Sequence, residues 1–323
     1  MNKIIVNAIA GNIIEFYITN VCNLACNNCN RFNNYNFTGW QSWEDYKDIY
    51  TKWGKKIDLS QASILGGEPT LNPTFIDWIN GIREIWPTIV LKIVSNGTYF
   101  PRNLYKNLVE HKGRTYFRIS IHQPKERNTI LGNIKNFLQN PRVNSYYNET
   151  DWAEHYQNYR GDDWPETCSI HNYNTLSSDI KAECENFMFF PELYEVNEFV
   201  DENNIKFLVE SAYKFNTASI TRKDGKFVMS NSNVQKAHDI CYSKFCHHFY
   251  KGKLYKCMIP ALVPDFDDQF GVDLAPEDRE MLNGYRSLEH SDSLEYMETF
   301  MHNLKKPISQ CKLCPESFDT VLA

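Results

Sequence analysis

Long apolar runs are missing from this chain of 323 residues: no uninterrupted stretch is long enough to cross a bilayer, so no membrane partner is expected. A basic excess is missing too. With 34 Lys and Arg against 40 Asp and Glu, the formal net charge is −6, which argues against a broad nucleic-acid surface or an anionic-membrane surface. Internal repeats, low-complexity tracts and Gly/Ser linkers are absent, so neither a solenoid nor a loosely tethered array of modules fits. A cleavable signal is not indicated either. The apolar start Met1–Gly11 is interrupted at Asn7 and runs straight into the first expected strand, so cleavage would leave the fold without its beginning.

What the chain has is ordinary globular substance and a great deal of cysteine. Hydrophobic residues make up 42% and charged residues 23%, enough to bury one large domain plus an appendage. The aromatic share of 14% is high; it is read first as extra core, with a stacking surface for substrate as the alternative. Ten cysteines in a chain with no secretion signal are read as metal-bound thiolates in a reducing cytoplasm rather than as disulfides.

Three of the thiols fall within eight residues, Cys22-Asn-Leu-Ala-Cys26-Asn-Asn-Cys29. They follow Ile13–Thr19, a β-branched and aromatic run that reads as a strand, and so hang from a loop at a strand's C-terminal end. Parallel α/β folds place their chemistry there. Thiolates suit iron or zinc, and three is one short of the usual four, which leaves one metal position open to a ligand. A second loop, Gly66-Gly67-Glu68-Pro69, follows the short apolar run Ala62–Leu65 and also caps an expected strand.

The C-x3-C-x2-C spacing, followed about forty residues later by Gly-Gly-Glu-Pro, resembles the radical S-adenosylmethionine (SAM) enzymes. The resemblance implies that Cys22, Cys26 and Cys29 hold a 4Fe–4S cluster whose fourth iron is chelated by the amino and carboxylate groups of SAM. It implies that the reduced cluster cleaves SAM to methionine and a 5′-deoxyadenosyl radical. Gly66, Gly67, Glu68 and Pro69 would lie against the SAM methionine, with backbone and Glu68 oxygens accepting from its ammonium. Ser95, Asn96 and Ser120, at the ends of later strands, match positions that contact the SAM ribose and carboxylate. The Ser95-Asn96-Gly97 stretch is also a plain turn sequence. His122, at the end of its strand, is the candidate catalytic residue facing substrate, or else a histidine satisfied locally. One departure stands out: the aromatic residue often found before the third cysteine is Asn28 here, and Phe32 is the nearest ring that would replace it.

The rest of the N-terminal two thirds alternates strand and helix. Helices are expected over Ser42–Gly54, from Pro73 at a first helical position to about Trp86, over Pro101–His111 and over Glu126–Leu138. Strands are expected at Ile89–Val94, Tyr116–His122 and Asn204–Glu210. Alternation of this kind implies a parallel sheet with helices outside, and the resemblance sharpens it to a partial (βα)6 TIM-like barrel. The expected barrel spans 1–220, with 140–203 as an irregular insertion or lid in which Cys168 and Cys184 are small buried residues. Arg222–Phe227 contains an Asp-Gly pair and reads as a hairpin.

The remaining cysteines cluster in 221–323, as Cys241-x4-Cys246, Cys257 and Cys311-Lys-Leu-Cys314. Phe249–Tyr255 reads as a tight hairpin that brings Cys246 and Cys257 to one end. Four thiolates with no open position suit a structural or electron-carrying 4Fe–4S cluster, or zinc. The arrangement resembles the twitch form of the SPASM extension of radical SAM enzymes, which implies one auxiliary cluster. Five cysteines compete for four places; Cys246, Cys257, Cys311 and Cys314 are favoured, with Cys241 the alternative first ligand.

The expected function is therefore a radical SAM enzyme that abstracts a hydrogen atom from a small molecule, an auxiliary 4Fe–4S cluster assisting oxidation or anchoring substrate. With 21 residues before Cys22, no N-terminal peptide-recognition module is expected. Modification of a ribosomal peptide or protein side chain is the alternative. An iron–sulfur electron carrier or zinc-stabilised binding protein is the non-enzymatic one, against which the intact Gly66–Pro69 stands. A flavodoxin or ferredoxin is the expected electron donor.

Overall fold

A computed structural model of the chain describes residues 3–6, 13–111, 114–146, 196–211, 214–215, 218–317 and 321–322. The principal elements run β1 (Ile13–Tyr17), α1 (Trp43–Gly54), β2 (Gln61–Leu65), α2 (Phe75–Ile85), β3 (Val90–Ser95) and α3 (Leu104–Glu110). They continue with β4 (Thr115–Ile121), α4 (Arg127–Phe137), β5 (Arg142–Tyr146), β6 (Val196–Val200) and β7 (Lys206–Ser211). The C-terminal part holds β8 (Ile220–Lys223), β9 (Lys226–Met229), α5 (Val234–Asp239), β10 (Cys246–Tyr250), β11 (Lys253–Tyr255), α6 (Met258–Phe270), α7 (Pro276–Asn283) and α8 (Leu294–Asn303). This is an α/β chain with a mostly parallel central sheet, the class that the alternation predicts. It forms two compact units, Met1–Leu91 with Lys214–Ala323, and Lys92–Tyr213.

In the first unit the strand order is β11-β10-β1-β2. β10, β1 and β2 run parallel, with Glu15 opposite both His248 and Ser63, and β11 folds back antiparallel on β10. The core is aromatic, as the first reading of composition has it. Phe16 stacks on Phe249 with ring centroids 5.2 Å apart, and Tyr50, Trp53, Trp78 and Trp86 close around the pair. α2 presents Phe75, Trp78, Ile79 and Ile82 at i, i+3, i+4 and i+7, the spacing of one buried helix face. Both predicted hairpins form. Their two-residue turns, Asp224-Gly225 and Lys251-Gly252, have positive φ at both positions, the geometry that matches the right-handed twist of paired strands.

Helix α2 starts at Phe75, not at Pro73. The Asn72 side chain accepts from the Thr74 N–H at 2.8 Å and from its hydroxyl at 3.0 Å, while its amide donates to Ile18 and Gln41 carbonyls. That buried side-chain turn uses up the stretch from which the helix was expected to start.

In the second unit the strand order beyond β3 is β4-β7-β6-β5, with β4 and β7 parallel and β6 and β5 antiparallel additions. Phe117 and Phe207 stack at 4.4 Å, and Phe100 and Phe137 pack on them. The ends of the segment 140–203, expected to be irregular, are thus regular strands; its middle, with Cys168 and Cys184, lies outside the described residues. Among the described residues no helix is long and apolar enough to cross a membrane.

Candidate active site

Strand β1 delivers the chain directly into the cysteine loop, and β2 delivers it into the Gly-Gly-Glu-Pro turn beside it. The two loops are stitched together by backbone: the Gly67 N–H donates to the Thr19 carbonyl and the Glu68 N–H to the Val21 carbonyl, each at 2.7 Å. The approach is so close that a Cβ on Gly67 would lie 2.7 Å from the Val21 carbonyl carbon and from the Asn33 amide. A Cβ on Gly66 would lie 2.8 Å from the Thr19 methyl carbon. Expected to bare the backbone toward a ligand, the glycines here first let one loop lie on the other.

Glu68 is fully buried and heads the short turn Pro69–Leu71. Its carboxylate accepts from the Thr70 N–H at 3.1 Å and the Thr70 hydroxyl at 2.7 Å, which fixes its orientation at the mouth of the loop. A buried carboxylate needs donors of this kind.

Within the cysteine loop, Cys26 is buried and Cys22 and Cys29 are half-buried. The Cys29 N–H donates to the Cys26 carbonyl at 3.2 Å and the Phe32 N–H to the Cys29 carbonyl at 3.0 Å, a run of tight turns. The Leu24 N–H points at the Cys22 sulfur at 3.4 Å, and the Cys29 thiol at Asn33 Oδ1 at 3.6 Å. Asn28 has φ of 55°, in the left-handed region that asparagine tolerates better than most residues. The loop geometry accounts for asparagine where an aromatic residue is often found. Phe32 does not replace that ring. It is fully buried and packs edge-on against Phe266 at 5.3 Å.

Below the loop sits a set of polar groups that the motif reading missed. Arg31 lies 3.4 Å from Glu15 and 3.1 Å from His248, and donates to the Met258 sulfur at 3.2 Å. Burial, followed by the Arg31 charge, holds the His248 imidazole below its usual value despite Glu15, and burial pushes the Tyr17 hydroxyl up. A carboxylate at the centre of the apolar strand Ile13-Ile-Glu-Phe-Tyr17 was the signal that could have found them.

The C-terminal thiols gather in the same unit. Burial pushes the Cys257 thiol up to about 12, and Cys241 and then Cys311 add to that effect. Cys314 is pushed up by burial and then by Cys257, Cys241 and Cys311. The thiols that act on Cys257 and Cys314 include Cys241 and Cys311. Cys246 begins β10, its Cα paired with Ile13 of β1. Among the described residues no three Cys, His, Asp or Glu side chains converge tightly enough to hold a single metal ion. A cluster takes its thiolates one per iron, so its ligands surround a volume rather than meet at a point. Thiols such as Cys257 and Cys314, held protonated by burial and by their neighbours, become thiolates together only around a positively charged centre. On this donor chemistry the residues present fit a cluster, as the three thiols of Cys22–Cys29 do.

The other expected SAM contacts belong to the second unit. Ser95 and Asn96 are buried, and both side chains serve the turn: Ser95 accepts from the Gly97 N–H at 3.0 Å and Asn96 from the Thr98 N–H at 3.0 Å. Ser120 donates to Glu210 at 3.1 Å, beside a two-pronged Arg118–Glu210 pair at 2.7 and 2.9 Å. His122 lies just past the end of β4, partly exposed. Burial pushes Glu210 up, but the Arg118 charge and the hydrogen bonds from Arg118 and Ser120 outweigh it and hold the carboxyl below its ordinary value. A carboxyl depressed in the folded state stabilises the fold above its unfolded pKa of about 4.3 and loses that contribution as pH falls. Glu210→Gln is expected to flatten the acid limb of stability below about pH 4.5, by up to about 1.4 kcal/mol per pH unit. Urea melts of both proteins between neutral and acid pH would check this; parallel acid limbs would contradict it.

Residues 16–160 match the sequence model of the Radical SAM superfamily. No curated protein matches the chain. Among solved structures, SuiB of Streptococcus suis is 18% identical over 36% of this chain and 26% of its own, with a TM-score of 0.29. BtrN in complex with AdoMet and 2-DOIA is 20% identical over 38% of this chain and 48% of its own, TM-score 0.28. anSMEcpe with bound AdoMet and the Cp18Cys peptide is 19% identical over 39% of each chain, TM-score 0.30. The matched part is thus less than half the length of each of these three. The segment that carries both the cysteine loop and the Gly-Gly-Glu-Pro turn, residues 16–160, is a radical SAM superfamily domain.

Proposed function

We propose that this chain is a radical SAM enzyme that abstracts a hydrogen atom from an organic substrate, a small molecule or a peptide, and that carries a second, auxiliary iron–sulfur cluster. The observation that carries the reading is the stitching of Gly67 and Glu68 onto Thr19 and Val21. It sets a fully buried, pre-oriented carboxylate beside the exit of a three-thiol loop. Electron transfer alone needs no such carboxylate, whereas the methionine ammonium of SAM does. When bound, the cluster at Cys22, Cys26 and Cys29 supplies the electron that cleaves SAM.

The chain's own residues divide the remaining work. Cys22, Cys26 and Cys29 bind the metal. The Gly66–Pro69 turn receives the methionine end of SAM, with Glu68 held by Thr70 so that no reorganisation is needed on binding. Ser95, Asn96 and Ser120 are proposed to meet the rest of SAM, and His122 the substrate. The auxiliary cluster takes Cys241, Cys257, Cys311 and Cys314. Cys241 is taken as the first ligand because its charge acts on Cys257 and Cys314, with Cys246, which the sequence favours, as the alternative.

The test is 5′-deoxyadenosine release after anaerobic reconstitution with iron and sulfide, with dithionite and SAM present. Product is expected from the parent and none from Cys26→Ala. A fully iron-loaded parent that neither binds SAM in calorimetry nor forms product would sink the reading.

A further inference from the structure

We propose that Arg31 and Glu15 set the reduction potential of the cluster at Cys22, Cys26 and Cys29, with opposite sign, as charged positioning residues beneath the cysteine loop. The inference rests on the functional reading above and adds to it two residues that no motif contains.

Arg31 stands two residues beyond Cys29 and turns back beneath the loop, its side chain 17% exposed and that of Glu15 8%. Nη2 faces Glu15 Oε2 at 3.4 Å, and Nη1 lies 3.1 Å from His248 Nε2 and 3.2 Å from Met258 Sδ. An arginine only donates. His248 Nε2 is therefore an acceptor and its proton sits on Nδ1, 3.1 Å from Glu15 Oε2 but off the line of a hydrogen bond. The group brings together one fixed cation, one fixed anion, a neutral fully buried imidazole and a thioether. It spans three elements of the unit: the loop, β1 through Glu15, and the β10–α6 region through His248 and Met258.

The guanidinium carbon lies 5.9 Å from the centre of the Tyr17 ring. Arg31 itself lies inside the turn that the Phe32 N–H closes on the Cys29 carbonyl at 3.0 Å, so its charge is carried on the cysteine loop. In a site this buried a unit charge is poorly screened. Adding an electron to a thiolate-bound cluster adds negative charge, which a nearby cation favours and a nearby anion opposes; net charge around a cluster is among the levers that set its potential. Glu15 is also expensive to bury on an apolar strand without a partner. Arg31 supplies that partner, and the pair keeps the field small enough for both charges to stay in the fold.

A purely mechanical clamp makes a different prediction. It would loosen on removal of either partner, with no dependence on the sign of the charge removed. The test is a redox titration followed by electron paramagnetic resonance, with iron and sulfide contents, on the full chain and on Arg31→Gln, Arg31→Lys and Glu15→Gln. Arg31→Gln is expected to shift the midpoint of the SAM-binding cluster to lower potential and Glu15→Gln to higher potential, with Arg31→Lys close to the parent. Shifts of the same sign, or none, at full iron load would overturn the proposal. If Arg31→Gln fails to hold iron, Glu15→Gln decides alone: no upward shift overturns it. A parent that builds no cluster at Cys22–Cys29 overturns the functional reading itself, and its iron content tells that failure from this one.

Discussion

Cys241→Ala is expected to remove about four irons per chain from the reconstituted protein, one full cluster, while Cys246→Ala keeps them. The two thiols are separated by one turn of 3-10 helix, Tyr242–Phe245, and the sequence allows either as the first ligand. Cys241 follows α5, its N–H donating to the His238 carbonyl at 3.1 Å, and its thiol acts on Cys257 and Cys314. Cys246 is instead the first residue of β10, in register with Ile13 and on the same strand face as His248. Hairpin register extended two residues past β11 would set Cys246 opposite Cys257. The strand stops at Tyr255, however, and Cys257 is already the extended residue that leads into α6. Iron and acid-labile sulfide per chain, with the spectrum of the second cluster, would check this. Unchanged iron in Cys241→Ala, or iron lost from Cys246→Ala, would restore the other ligand set.

Local signals carried well: Asp224-Gly225 announced its hairpin, Ser42 its helix start, and the apolar run Ile13–Tyr17 its strand, because each is decided by backbone preference and burial within a few residues. Four features depended on partners in other elements. The parallel pairing of β10 with β1 joins residues more than 200 apart and leaves no local mark. Pro73 matched the rule for a first helical residue, but Asn72 is bound to Ile18 and Gln41 and delays the helix to Phe75. Phe32 looked available to a ligand until α6 supplied Phe266 to bury it. β6 lacked a clear apolar period because Glu198, buried and paired at 2.6 Å with Lys206 of β7, occupies a position that a simpler strand would give to an apolar side chain. The candidate site follows the same division. Its two motifs were legible as words, whereas the Glu15–Arg31–His248 group exists only in three dimensions.

Gly67→Ala is expected to destabilise the first unit by about 3 kcal/mol and to abolish SAM binding, with Gly132→Ala as its counterpart of opposite sign. The added methyl at Gly67 would meet the Val21 carbonyl and the Asn33 amide. These are backbone and a hydrogen-bonded side chain, neither of which can swing aside as the tip of a flexible residue could. Relief requires lengthening the Gly67–Thr19 and Glu68–Val21 hydrogen bonds, and those are the contacts that fix the buried carboxylate beside the thiol loop. Overpacking of this kind costs about 1–3 kcal/mol, with the upper end expected where the neighbours are rigid. Gly132 lies inside α4 with nothing within 4 Å of its would-be Cβ. Alanine there restricts the unfolded chain, suits the helix and should stabilise by about 0.5–1 kcal/mol. Denaturant unfolding reads both signs, and calorimetric titration with SAM reads the site. If Gly67→Ala bound SAM as the parent does, the contact of the two loops would be packing alone, and the carboxylate of Glu68 would have to be placed for SAM by some other means.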